Sequence, residues 1–111
     1  MTFTSRELSW LAGLMEGEGS FQWKRNNRRG TQYPVVQLTM TDEDVVKRAR
    51  QIAGVGTLHG PYDNGPGRKP RYMWCVQKKV DSVGLMMTLY PMMGLRRQAR
   101  IREILLEWRS T

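Results

Sequence analysis

The stretch Leu11-Ala12-Gly13-Leu14-Met15-Glu16-Gly17-Glu18-Gly19 decides how the chain is read, because an almost wholly apolar helix runs into two carboxylates spaced by glycines. Those acids fall at a helix C-terminus, where the backbone dipole is negative and disfavours them. Something must compensate. Upstream, Thr4-Ser5-Arg6-Glu7 has the spacing of a capping box, so the helix is expected to begin near Ser5 and run to about Glu16. Leu8, Leu11, Ala12 and Met15 form one i, i+3, i+4, i+7 stripe, while Trp10 and Leu14 share a second with the small residues Gly13 and Gly17. A helix apolar on all sides must be buried on all sides. Either it is a central core helix, or one stripe faces its own domain and the other faces a second copy, with Gly13 and Gly17 letting two backbones approach. Glycine inside a helix costs about 1 kcal/mol relative to alanine, and close packing is a reason to tolerate it.

Outward from that stretch, Ser20 to Arg25 alternates, with Phe21 and Trp23 to one side and Gln22 and Lys24 to the other, the pattern of a half-buried strand. Asn26 to Gly30 reads as a charged turn and Gln32 to Met40 as the returning strand. Val36, Leu38 and Met40 go to the core, Gln37 and Thr39 point outward, and Pro34 suggests an exposed start or an edge. Thr41-Asp42-Glu43-Asp44 opens an amphipathic helix with Val45, Val46, Ala49, Ile52 and Ala53 on its apolar side, ended by Gly54-Val55-Gly56. Thr57 to Tyr62 is a third strand and Asp63 to Pro70 a loop rich in Gly and Pro. Tyr72 to Gln77 is the fourth strand, with Tyr72, Trp74 and Val76 on one side and Met73, Cys75 and Gln77 on the other. Val80 to Tyr90 is helical up to Pro91, and Arg96 to Trp108 forms the last helix. The expected fold is α+β in a single domain, residues 1–111.

Eighteen Lys and Arg against ten Asp and Glu give a formal charge of +8 and a pI near 10.3, which favours a polyanionic partner, nucleic acid first. No apolar run approaches the roughly 20 residues of a membrane helix, and no signal peptide is apparent. Cys75 and His59 are the only residues of their kinds, so a Cys/His zinc site or a disulfide within one chain is excluded and a reducing compartment is the default. Cys75 reads as packing and His59 as a structural or surface residue. No membrane partner and no small-molecule cofactor is expected.

Two hairpins with polar outward faces and basic tips suit a DNA groove. Gln22, Lys24, Gln37, Thr39, Arg71 and Gln77 are types that read base edges, while Arg25, Arg28, Arg29, Arg68 and Lys69 suit phosphates. Binding to ribosomal-type RNA shares this charge pattern and stays open. The carboxylates separate the readings. Phosphodiester hydrolysis needs a polarised phosphorus, an activated water and a stabilised leaving oxygen, and a hard divalent cation held by carboxylates contributes to all three. Glu16 and Glu18 of one chain are too few to hold such a centre, whereas two copies about a twofold axis would pair their Glu18 side chains.

The opening stretch resembles the signature of the LAGLIDADG homing endonucleases: Leu11, Ala12, Gly13, Leu14 and Gly19 match letter for letter, and Glu16 and Glu18 keep acids at acidic positions. The order of helices and strands agrees over nearly the whole chain. The resemblance implies an αββαββα(α) fold with a saddle-shaped, four-stranded antiparallel sheet. It implies a homodimer of the single-motif type, meeting through Trp10, Gly13, Leu14 and Gly17 and cutting double-stranded DNA at a partly palindromic site with Mg²⁺ or another divalent cation such as Mn²⁺. By position, Glu18 and Gly17 fall at the metal, Glu16 has a more structural role, and Arg96 or Arg97 stands where the family often has a catalytic Lys. Met40 stands where it often has Gln. A mobile genetic element of a prokaryote or phage, acting in the cytoplasm, is the implied setting, with an organelle as the alternative. Arginine is permanently protonated and a poor proton acceptor, so a non-cleaving nucleic-acid binder, a regulator or an RNA-splicing maturase, is the alternative function.

Overall fold

A computed structural model describes residues 2–110, so the two ends of the expected domain lie outside the described residues. Helix α1 (Ser5–Glu18) starts at the capping box: Thr4 Oγ1 accepts the Glu7 N–H at 3.1 Å and Glu7 Oε1 accepts the Thr4 N–H at 2.8 Å. Each satisfies a donor that the helix start would otherwise leave unpaired. The helix continues past the expected end at Glu16, because the Gly19 N–H still bonds the Met15 carbonyl. Only glycine fits there, since a Cβ at Gly19 would lie 2.8 Å from that carbonyl oxygen.

Strand β1 (Gly19–Arg25) therefore leaves α1 with no loop between them and pairs antiparallel with β2 (Gln32–Met40). Helix α2 (Glu43–Ala53) has two acids in its first turn and is closed by Gly54 in the left-handed region, φ 72°. Strands β3 (Thr57–Tyr62) and β4 (Arg71–Val76) complete a four-stranded antiparallel sheet in the order β1-β2-β4-β3. The second hairpin thus docks on the first through its own second strand. Helix α3 (Lys79–Leu89), a 3-10 turn (Tyr90–Met92) and helix α4 (Leu95–Ser110) follow. The α+β class and the element order are those expected from the sequence.

Phe21, Val36, Leu38, Trp74 and Val76 form the apolar face of the sheet and pack with Leu11 and Met15 of α1, Val46 and Ala49 of α2, Leu85 and Met86 of α3, and Ile101 and Ile104 of α4. All four helices contribute to this one core, and each large side chain so buried contributes about 1.5–3 kcal/mol. The Ser82 hydroxyl, fully buried, donates to the Val76 carbonyl at 2.8 Å and so is not left unsatisfied. At the β1 edge, Arg100 Nε of α4 donates to the Phe21 carbonyl at 3.2 Å, which uses an edge acceptor that another strand could otherwise take.

Two expectations are corrected. Pro34 stands near the start of β2 with an open flank, as expected of a start or edge position, but it is buried rather than exposed. The register supplies the open flank: β4 ends with Val76 opposite Val36, so at Pro34 the strand has β1 alone as neighbour, and the missing N–H interrupts no ladder on the other side. Gln77 lies just beyond β4, exposed, because the strand ends at Val76 and α3 begins two residues later.

Candidate nucleic-acid interface and acid site

Cross-strand partners share a face, so the register fixes what the side opposite the core displays. Ser20, Gln37, Cys75 and Thr57 form one row across all four strands; Thr39, Met73 and His59 form the next. Gln22 with Val35 and Lys24 with Tyr33 extend the face along the first hairpin. Gln22, Lys24, Gln37 and Thr39 therefore stand on the side that alternation assigned them, half-buried, and Arg71 joins them at the start of β4. Lys24 Nζ donates to Gln37 Oε1 at 3.4 Å, a link that spans the position of Val35, which is fully buried. Gln22 Nε2 donates to Ser20 Oγ at 2.7 Å. The Arg71 guanidinium lies 5.5 Å from the centre of the Tyr62 ring and donates to the Asp63 carbonyl at 3.4 Å. Cys75 is buried on this face, consistent with packing.

Both hairpin tips are basic and exposed. The Asn26 side chain accepts the N–H groups of Arg28 at 3.0 Å and Arg29 at 3.4 Å, building the first turn and holding both arginines at its apex beside Arg25. Arg68 and Lys69 occupy the second loop, where Asp63 Oδ1 accepts the Gly65 N–H at 2.9 Å. Ser20, Tyr33, Thr57 and His59 also belong to the polar face and were not named from sequence as part of it. Ser20 shares its parity with Gln22 and Lys24, and Tyr33 with Gln37, a signal present in the alternation itself; Thr57 and His59 are placed only once the pairing of β3 with β4 is known. His59 Nε2 lies 2.8 Å from Thr57 Oγ1.

Glu16 is four residues from Ala12 and three from Gly13, and Glu18 is three from Met15 and four from Leu14, so both acids stand at the borders between the two stripes of α1. Their surroundings differ. Glu16 Oε1 accepts the Gly94 N–H at 2.5 Å, and its Oε2 lies 3.9 Å from Arg97 Nε. Gly94 immediately precedes α4 and its carbonyl accepts the Gln98 N–H at 2.9 Å, so Glu16 sits at the positive end of the α4 dipole. That is the compensation the first acid requires. Arg97 is half-buried, turned toward Glu16 and with its guanidinium 5.9 Å from the centre of the Phe21 ring, whereas Arg96 is exposed. Glu18, the last residue of α1, is exposed and makes no hydrogen bond or ion pair among the described residues.

On the second stripe of α1 Gly13 and Gly17 are exposed, and a Cβ at either would meet nothing within 4 Å. Trp10 and Leu14 are half-buried, with the Arg48 guanidinium of α2 4.3 Å from the Trp10 ring centre, a stacked cation the sequence did not signal. The glycines are therefore not small for the sake of packing within this chain. Among the described residues no group of three or more His, Cys, Asp and Glu gathers, so one chain brings no complete set of metal ligands.

No protein-family model and no curated protein matches the sequence. Solved structures match the fold. I-CvuI in complex with the I-CreI target superposes with a TM-score of 0.76 over 91% of this chain and 64% of its own, at 18% identity. I-CeuI, a group I intron-encoded homing endonuclease complexed with DNA, gives 0.71 over 96% of this chain and 55% of its own, at 16% identity. I-TnaI, also a homing endonuclease, gives 0.71 over 98% and 77%, at 17% identity. The fold is that of the LAGLIDADG homing endonucleases. The chain spans less than two thirds of I-CvuI and of I-CeuI.

Within this homing-endonuclease fold, α1 carries the motif residues and ends directly at β1, so the acids and the polar sheet face are continuous along the chain. Met40 pairs with Tyr72 and packs against the core. Among the described residues no helix is long and apolar enough to cross a membrane.

Proposed function

We propose that the chain is a metal-dependent, sequence-specific endonuclease for double-stranded DNA that acts as a homodimer. One observation carries the reading: Glu18, exposed and without a partner among the described residues, ends α1 next to the uncovered Gly17 and stands one residue before the strand whose polar side chains are Ser20, Gln22 and Lys24. Two copies joined through Trp10, Gly13, Leu14 and Gly17 would bring two such carboxylates together where the two sheet faces meet. Carboxylate oxygens suit hard cations, so Glu18 of each copy, with Gly17 beside it, would hold Mg²⁺ or Mn²⁺. When bound, that ion supplies Lewis-acid polarisation of the phosphate and an acidified water.

The remaining work falls to this chain's own side chains. The arginines at the hairpin tips neutralise phosphates and set register, and the Gln, Lys, Thr and Arg side chains on the sheet read base edges. Arg96, exposed at the start of α4, is the cation left to stabilise phosphate charge, since Arg97 faces Glu16. The DNA complexes of I-CvuI and I-CeuI support a DNA partner for this surface. A second reading, a non-cleaving nucleic-acid binder, is favoured by the packing of Met40 and by the engagement of Arg97. Selection from a randomised duplex library, for cleavage in Mg²⁺ and for binding in Ca²⁺, distinguishes them. The endonuclease reading expects symmetric cleaved sites; sites that are bound and never cut give the second reading. A chain that sediments as a monomer at micromolar concentration, with and without DNA, would sink the dimer.

A further inference from the structure

Between α3 and α4 lies a groove of about 330 Å³ lined by Met87, Leu105, Leu106 and Trp108, with Arg102 and Arg109 also contributing. A second depression adjoins it at Tyr90. Leu106 and Met87 are 62% and 60% exposed. On α4, residues 102, 105, 106 and 109 follow the i, i+3, i+4, i+7 spacing of one helical face, an apolar centre with an arginine toward each end. The core uses a different side of α4, where Ile101 and Ile104 are buried.

We propose that this groove docks an amphipathic helix of a partner protein, whose apolar side chains enter between α3 and α4 and whose carboxylates meet Arg102 and Arg109. Seven residues separate the two arginines, so the partner's acids are spaced by about 10 Å, two helical turns. The charges select this occupant. Arg102 donates to the Tyr90 hydroxyl at 2.6 Å, which orients the guanidinium without neutralising it. Glu103 is paired with Arg100, and neither Glu103 nor Glu107 lines the groove, so among the described residues its charged lining is cationic.

A second copy would set arginines against arginines across a twofold axis, a like-charge arrangement that opposes association. Nucleic acid is a poor fit because the apolar floor offers its phosphate oxygens no donors. A helix with apolar side chains suits a floor in which the unbranched Met87 adapts to the shape presented.

The probe is a fluorescein-labelled helical peptide with leucines at i, i+3, i+4 and i+7 and two glutamates seven residues apart, compared by anisotropy with the same peptide carrying lysines for glutamates. The 111-residue chain should bind the acidic peptide and not the basic one. Leu106→Glu should weaken binding by about tenfold or more, and Arg109→Glu by several-fold. Leu106 is exposed, so a thermal melt should show Leu106→Glu folded; Leu106→Gln serves if it is not. Lys47→Ala, on the exposed side of α2, should leave peptide binding unchanged. Equal binding of both peptides, or binding indifferent to Leu106, overturns the proposal. So does a free protein whose sedimenting mass falls on Leu106→Glu, which gives the groove to a second copy.

Discussion

The two stripes of α1 behave differently, and so do the two acids at its end. Leu11, Ala12 and Met15 are buried, whereas Trp10, Gly13, Leu14 and Gly17 remain open or half-open. The Glu16 carboxylate is bonded to the start of α4, and Glu18 has no partner among the described residues. The first acid holds the domain together. The second is left unengaged, and a single glycine separates the two.

Substitutions can break or sharpen that division. The largest effect is expected from Glu18→Gln, which should remove cleavage below detection while leaving the melting temperature and DNA affinity near the parent's. A variant that melts much lower would show that Glu18 is structural after all. On the buried stripe, Leu11→Ala should lose about 2–5 kcal/mol in denaturant unfolding, because Leu11 is fully buried in the core. The same change at Leu14 should cost far less in a dilute, DNA-free chain. Glu16→Ala should cost about 1–3 kcal/mol, since the Gly94 N–H loses its acceptor and the Arg97 side chain, only 13% exposed, loses its counter-charge. Faster hydrogen exchange at the first turn of α4 would accompany it. The smallest effect is a gain: Gly13→Ala should stabilise the unassociated chain by up to about 1 kcal/mol, because the added methyl meets nothing. Sedimentation should show weaker self-association in the same variant; unchanged association would separate the glycine from the seam.

Much of this was legible from local rules. The capping box, the strand alternation, the glycine stop after α2 and the basic tips are local chemistry, and each is found where the spacing placed it. The end of α1 was not, because Gly17 resembles a stop and only the Gly19–Met15 contact shows the helix continuing. The partner of Glu16 lies 78 residues away, beyond any periodicity. Arg96 and Arg97 were interchangeable in sequence and are distinguished by one being exposed and the other facing Glu16. Pro34 did mark an open flank, because β2 is central at one end and has β1 alone as neighbour at the other, but its burial was not legible from the rule about prolines and edges. The stripe of Arg102, Leu105, Leu106 and Arg109 was visible in the sequence, but its exposure depends on which side of α4 the sheet takes.

The hydrogen bond from Arg100 to Phe21 joins residues 79 apart in a chain of 111. During synthesis the first hairpin therefore leaves the ribosome long before α4 exists to cover its outer strand. Until then the Phe21 carbonyl lacks its arginine, and a chain stalled before Leu95 would present β1 as an open template for joining another chain. The last helix thus acts as a late guard against aggregation, and how quickly it is made bears on how much protein is recovered in soluble form.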